Sequence, residues 1–417
     1  MDMQPSSSSD GRTCLVCGAE AHGIHFQVNS CRACAAFFRR STDIGKKYKC
    51  RRAKNDCDVS KDIVHQCRRC RYEKCKKVGM TLNAVLVKQH QMAIQASLST
   101  NPSSQLSSNI VFHDSPETDD FYLQDMPEIV FEDHRLKMET DGLITSIKEV
   151  LNDTSPSKPL PNLLGVKLTP MQSLLRAFND MIPGGRPEKI AIYKTIDLRF
   201  WMKTFGDLMK RLAKWAMGCE EFAQLPLDDR WRIYLNFWPH MYFIERCARS
   251  LEYLGLDVQP LHLISDNVAV NLLDFEYTVP NMPEERRTKL RDMFRVHDEM
   301  MYQYFIKPMT NLNMTTYEVV YLCTQTLWSI SKVKGLSEQT YDLASRILDQ
   351  SGNELHNYYA HELRLENYAS RLAKIVKLLS ESENLFRHRK DIMLTADVFG
   401  IFGSDLHESE LCAHGSL

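Results

Sequence analysis

The sequence predicts two folded parts in one chain: a small, cysteine-rich, α-rich domain, then a larger all-α domain of more than two layers. Three observations carry that prediction. Nine of the thirteen cysteines fall between Cys14 and Cys75, leaving Cys219, Cys247, Cys323 and Cys412 for the rest of the 417 residues. Further on, apolar residues recur in steps of three and four, the period of a helix face. One ten-residue stretch, VVYLCTQTLW at 319–328, is apolar nearly all round, as a helix enclosed by other helices must be.

The cysteines resolve into two complete sets. Cys14-x2-Cys17-x13-Cys31-x2-Cys34 supplies two CxxC pairs, and Cys50-x6-Cys57-x9-Cys67-x2-Cys70 supplies a second foursome. A CxxC pair lets two thiolates reach one cation from a single turn, and four thiolates complete a tetrahedron. The opening MDMQPSSSSDGR has no hydrophobic signal core, so an oxidising destination is not expected and metal ligation is preferred to disulfides. Two structural zinc ions are therefore expected, with no open coordination position for catalysis. Cys75, near Tyr72 and Val78, reads as a packed core thiol. His22, His25 and His65 read as satisfied or solvent-facing, because sulfur already fills both sites.

Charge is divided along the chain. Residues 12–88 hold eighteen Lys and Arg against six Asp and Glu, a net +12, while residues 1–11 carry −2 and residues 89–417 carry −11. Eight thiolates around two Zn2+ would leave the basic segment at +8, which still suits a polyanion. CRACAAFFRR at 31–40 reads as the start of a helix ending near Gly45. Cys31 and Cys34 turn into the zinc, and the phenylalanines pack against a second helix, CRRCRYEKCKKVGM, that stops at Gly79. The cations around the two helices, Arg32, Arg39 and Arg40 on the first and Arg68, Arg69, Arg71 and Lys74 on the second, are candidates for DNA contact. For any one of them the competing reading is a solvated surface charge.

Residues 1–11 are expected to be disordered, 12–90 to form the zinc domain and 91–138 to be a flexible linker. The linker expectation rests on QASLSTNPSSQLSSN and the acidic DSPETDD, which lack the apolar content to pack. Residues 139–417 are expected to be helical. In 198–215 the stripe is Leu198, Trp201, Phe205, Leu208, Leu212 and Trp215; in 365–379 it is Leu365, Tyr368, Leu372, Ile375 and Leu379. Strand-like alternation is scarce. No stretch approaches the eighteen apolar residues of a membrane span, so no membrane partner is expected.

CLVCG, SCRACAAFFRRS, YKC and CRRCRYEKCKKVGM resemble the DNA-binding domain of the nuclear hormone receptor family, in that family's order and at nearly its spacing. The CRACAAFFRR variant is most similar to the large nematode-expanded branch related to hepatocyte nuclear factor four. LAKWAMGCEEFAQLPLDDRW resembles the signature of the family's ligand-binding domain, with Trp215, Phe222, Leu225 and Asp229 in register. The resemblance implies a helix in the major groove and a three-layer helical sandwich around an apolar pocket. It also implies a nuclear, zinc-dependent, sequence-specific transcription factor that is either ligand-regulated or an orphan. Its implied partners are double-stranded DNA, transcriptional coregulators, a small lipophilic ligand, and a second subunit in a homodimer or heterodimer.

The same resemblance places individual residues. Arg32 and Ala35 stand at the base-reading positions, where many receptors hold a Glu and a Lys, so the family's usual half-site is not expected. Arg249, in ERCARSLEY, stands where many receptors keep an arginine that meets a polar ligand group. The alternative for Arg249 is an internal salt bridge or a backbone carbonyl. Glu410 and Leu411 match the coregulator-binding end of the last helix, but Met217 replaces the clamp lysine, and His407 and Glu408 replace two apolar residues. The Cys50–Cys57 loop has six intervening residues where five are usual.

Two other classes compete. A zinc-bearing interaction adaptor with a helical dimerisation scaffold would share the cysteine pairs, but would need neither the FFRR helix nor the positive charge. An enzyme is not expected: the sequence has no G-x-S-x-G, P-loop, H-E-x-x-H or dinucleotide fingerprint.

Overall fold

The computed structural model describes residues 13–21, 24–26, 28–41, 48–50, 52–80, 110–113, 130–132, 135–137, 140–153, 168–182, 185–255, 260–278, 283–398 and 410–413. The expectations for residues 1–11, for most of 91–138, for the helix end near Gly45, and for His22, His407 and Glu408 lie outside these residues. The chain divides into two compact units, residues 1–102 with 156–172 and 349–368, and the remainder.

In the first unit a two-residue hairpin, β1 (Ile24–His25) and β2 (Val28–Asn29), precedes α1 (Arg32–Ser41) and α2 (Arg68–Lys77). Both helices are ten residues long, short enough to be marginal without tertiary support. Their shared core is small: Leu15, Val16, Val28, Phe38, Tyr72, Cys75 and Met80, with the four thiols of the first set. Phe38 stacks on Tyr72 at 6.0 Å and meets Phe26 edge-on at 5.4 Å. Cys75 is fully buried, and burial pushes its thiol up to about 12. Helix α2 stops as expected. Gly79 takes φ +96°, Met80 N–H donates to the Cys75 carbonyl, and Gly79 N–H donates to the Lys76 carbonyl, the paired bonds of a Schellman end.

In the interval read as a linker, three short strands occur: β3 (Ile110–His113), β4 (Val130–Glu132) and β5 (Arg135–Lys137). β3 and β4 coincide with the β-branched runs NIVFH and EIVFE, whose local preference is extended. The helical part then opens with α3 (Asp141–Asn152) and α4 (Pro170–Asn179). Strands β6 (Ile190–Tyr193) and β7 (Thr195–Asp197) lead into α5 (Leu198–Met217). Asp197 caps α5, its carboxylate accepting the Arg199 N–H at 2.8 Å. After α6 (Glu220–Ala223), α7 (Leu227–Leu254) runs 28 residues, is buried along most of its surface with Asp228 and Arg232 exposed, and has α5 packed against it.

Strands β8 (Leu261–Leu263), β9 (Val268–Asn271) and β10 (Glu276–Thr278) follow. β3, β6, β9 and β8 form a four-stranded sheet in that order, and β10 pairs with β7 in parallel. This sheet is absent from the all-α expectation. Its strands are three or four residues long, too short for a period-two pattern to register in the sequence.

Helix α8 (Glu284–Met301) passes through a π-helical turn at Tyr302–Ile306 into α9 (Lys307–Leu312). Helix α10 (Thr316–Trp328) contains the apolar decapeptide and packs on α7, with only Gln325 among 319–328 short of full burial. Helices α11 (Glu338–Asn357), α12 (Ala369–Val398) and α13 (Glu410–Ala413) complete the chain. Leu365 and Tyr368, counted in the second stripe, precede α12 rather than belonging to it.

Candidate nucleic-acid interface and helical-domain sites

The two cysteine sets assemble as the spacing predicts. The thiol sulfurs of Cys14, Cys17, Cys31 and Cys34 lie within 4.8 Å of one another, as do those of Cys50, Cys57, Cys67 and Cys70. Individual separations are 3.7 Å for Cys17–Cys31, 3.6 Å for Cys50–Cys57 and 3.8 Å for Cys50–Cys70. A tetrahedron with zinc–sulfur arms of about 2.3 Å has an edge of about 3.8 Å, so both sets match Zn2+ in donor type and in size. Hydrogen bonds from the Asn55 and Arg52 backbone to Cys50 lower its thiol to about 6, toward the thiolate a metal requires. The zinc is structural: it pins the ends of helices too short to hold themselves. Among the described residues no histidine joins either set.

The faces of α1 divide sharply. Cys34, Ala35, Phe38 and Ser41 are buried, while Arg32, Arg39 and Arg40 are exposed. Ala35 is only 8% exposed and sits on the inward side. On α2, Arg68 is exposed and Arg69 pairs with Glu73 at 3.2 Å. Burial and the nearby Lys77 lower the Lys74 ammonium from its usual range. Arg71 stands apart from its neighbours. Its Nη2 donates to Cys34 Sγ at 3.1 Å and its guanidinium lies 4.6 Å over the Phe37 ring. It therefore serves a zinc-ligating thiolate and bridges the two helices, a role its place among surface cations did not suggest.

In the helical part, Trp215 donates through Nε1 to the Leu174 carbonyl at 3.0 Å. Asp229 accepts from Thr340 Oγ1 at 2.6 Å and Ser337 Oγ at 3.1 Å, tying the start of α7 to the start of α11. Arg249 is buried at 4% exposure. It donates to the Phe178 carbonyl and, at 2.7 Å, to Glu252 Oε2, and lies 4.2 Å over the Phe178 ring. These are the backbone and glutamate partners of the competing reading. Next to it, Glu245 and Arg246 form a fully buried bidentate pair extended by Asp266 and Arg211. The surrounding guanidinium charge, Arg246 foremost, keeps the Glu245 carboxyl below its usual range against the opposing effect of burial.

A cavity of about 40 Å³ opens between α5, α7, α8, α12 and the strands. Trp201, Tyr242, Tyr277, His297, Asp298 and Arg389 are among its walls. The Arg389 guanidinium is boxed by Trp201, Tyr242 and Phe205 at 4.7, 5.3 and 5.6 Å. The cavity's polar residues are spread over three helices and two strands, and no sequence motif joined them. At the C-terminus, Glu410 bonds Lys148 Nζ at 2.7 Å and accepts from Trp231 Nε1 at 3.0 Å, and Leu411 is buried.

Two family profiles match the chain. One, a double treble clef zinc finger of C4 type, covers residues 12–82; the other, the ligand-binding domain of nuclear hormone receptor, covers residues 187–399. Relatives from Caenorhabditis elegans match nearly end to end. Nuclear hormone receptor family member nhr-213 is 27% identical over 93% of this chain and 91% of its own length. Member nhr-54 is 28% identical over 97% and 98%, and member nhr-127 is 28% identical over 89% and 96%. A zinc-pinned reading head with two cysteine tetrahedra, joined to a helical domain whose profile match alone spans more than half the chain, has one family reading: the chain belongs to the nuclear hormone receptor family.

Proposed function

We propose that this protein is a nuclear, sequence-specific, DNA-binding transcription regulator in which α1 enters the major groove and the helical domain recruits coregulators. The observation that carries the reading is the partition of α1. Its thiols and phenylalanines are consumed by zinc and α2, which leaves Arg32, Arg39 and Arg40 on the exposed face of a rigid helix. Arg32 has the reach to grip guanine O6 and N7. Arg39, Arg40, Arg68, Arg69 and Lys74 suit phosphates, whereas Ala35, expected at a base-reading position, is buried on the inward side of α1 and is given no base contact. The cysteine sets leave no open metal position, which supports a binding protein rather than an enzyme.

Glu410 and Leu411 are assigned to the coregulator surface. A lipophilic ligand, dimerisation and the branch related to hepatocyte nuclear factor four remain compatible with the same reading. Unbiased selection of DNA sites with full-length protein, with and without a zinc chelator, tests it. Enrichment of a motif that disappears with chelator is expected; no enrichment with zinc present would refute it and favour the adaptor.

A further inference from the structure

Helix α3 lies outside both matched regions, yet it is seated deliberately. Ile147 and Leu151 are fully buried and Ile144 is 9% exposed, while Asp141, Thr145 and Glu149 face solvent. These apolar side chains face α5 and α7, the two helices on which α3 packs. Gly206, in the middle of α5, faces Leu143; a methyl there would only just touch it, at 3.5 Å.

Both ends of the seat carry charge aimed at the segment. Arg230, 5% exposed on the first turn of α7, donates Nη1 to the Leu151 carbonyl in the last turn of α3. That carbonyl is one of the four a helix end leaves unpaired, and a cation there also meets the negative end of the helix dipole. The same Nη1 lies 3.7 Å from Met217 Sδ, so Arg230 reaches the position where the family's clamp lysine is replaced. On the other side Glu410 holds Lys148, whose ammonium also lies 4.6 Å over the Trp231 ring. Within α3, the run Ile147-Lys148-Glu149-Val150-Leu151 sets three apolar residues at i, i+3 and i+4, the spacing by which an amphipathic helix anchors in a groove.

We propose that α3 is the chain's own stand-in for a partner's amphipathic helix: it fills the groove between α5 and α7 that Arg230 and Glu410 bracket, and a coregulator helix of the same chemistry must displace it. The partner is a helix with apolar residues at the places of Ile144, Ile147, Val150 and Leu151 and a basic residue at the place of Lys148. The proposal rests on assigning Glu410 and Leu411 to the coregulator surface. A tethered segment competes at an effective concentration near millimolar, so a free peptide with about 10 μM intrinsic affinity meets a groove about 10²-fold less available.

The test uses full-length protein and a fluorescent peptide of this chain's residues 140–153, TDGLITSIKEVLND. Fluorescence anisotropy should show binding to Ile147→Ser/Leu151→Ser protein at least ~10²-fold tighter than to wild type, with Arg230→Ala in that background removing most of the gain. Equal affinity for wild type and the double variant, or no binding to a double variant that retains its helical circular dichroism, overturns the proposal. Should the double variant fail to fold, Lys148→Glu, a surface change that opposes Glu410, provides the decision. Peptide binding several-fold tighter than to wild type supports the proposal and unchanged binding overturns it. DNA-site selection on the same proteins separates the readings, since its loss refutes the transcription-regulator assignment without touching the peptide result.

Discussion

Replacing Arg71 by Leu separates two roles that a basic residue on α2 could play. In the structure its Nη2 donates to Cys34 Sγ at 3.1 Å and its guanidinium covers Phe37 at 4.6 Å. A hydrogen bond to a charged group contributes about 1.5–3 kcal/mol, and an exposed cation–π contact about 0.5–1 kcal/mol. Leucine keeps much of the packing over Phe37 and loses the charge, so the loss should be about 2 kcal/mol, felt at the first zinc site. Loss of a partner one shell out from a metal commonly weakens metal affinity 10- to 100-fold. Competition between full-length protein and a chromophoric zinc chelator should therefore show one of the two zinc ions released 10- to 100-fold more readily, and Arg71→Lys should recover only part of this. DNA affinity at saturating zinc should fall little, with an unchanged salt slope. If zinc release is unaltered while the slope of log K against log salt drops by about one, Arg71 is a phosphate contact and the reasoning fails.

Arg32→Ala should cost about 1–3 kcal/mol at a selected site and relax preference at one base pair, whereas Arg68→Ala should weaken binding equally on all sequences; quantitative gel shifts on matched and scrambled sites distinguish them. Asp229→Ala removes the acceptor of Thr340 and Ser337 and should destabilise the helical domain by about 1–3 kcal/mol, read by thermal melting. Burial lowers His262 and His297 to about 3 and His240 to about 4. These groups are neutral when folded and take up protons more readily when unfolded. Their contribution is therefore intact above the unfolded value of about 6.5 and is lost below it, by up to about 1.4 kcal/mol per pH unit for each histidine. Melting temperature should fall from pH 7 to pH 5, and His297→Phe should flatten that fall; an unchanged slope refutes the assignment to His297.

How much was legible depended on whether the signal was local. Two cysteine foursomes are local in sequence, and the chemistry of four thiolates admits one geometry, so the zinc sites and the stop at Gly79 followed directly, while packing decided that Phe38 rather than Phe37 is the fully buried phenylalanine. The stripe through Leu198 and Trp215 also became a helix as read. The second stripe began too early because Leu365 and Tyr368 keep helical spacing across a break that their own side chains do not encode. Arg71 could not be told from Arg68 or Arg69 by sequence, since three neighbouring arginines point in different directions on a helix and only tertiary packing shows which one meets sulfur. Likewise, Ile147, Val150 and Leu151 carry a readable anchor pattern, but what they anchor to lies about eighty residues on, at Arg230, and beyond that at Glu410.

Three places in the helical domain are held by groups drawn from the chain itself. Arg249 is held by Phe178 and Glu252, the groove between α5 and α7 is held by α3, and Arg389 is boxed by three rings beside a cavity of about 40 Å³. That volume holds a few water molecules, against the several hundred cubic ångströms a drug-sized ligand fills. A molecule binding there must first open the stack of Trp201, Tyr242 and Arg389, so its affinity is reduced by the fraction of chains already open. It changes output only by binding the open form more tightly than the closed one. Groove and cavity share walls: α5 carries Gly206 opposite Leu143 and Trp201 at the cavity, and α7 carries Arg230 at one end and Tyr242 further along. Displacing α3 and opening the cavity therefore act on the same two helices. This gives a partner helix and a small molecule a physical route to affect each other's affinity, equally in both directions.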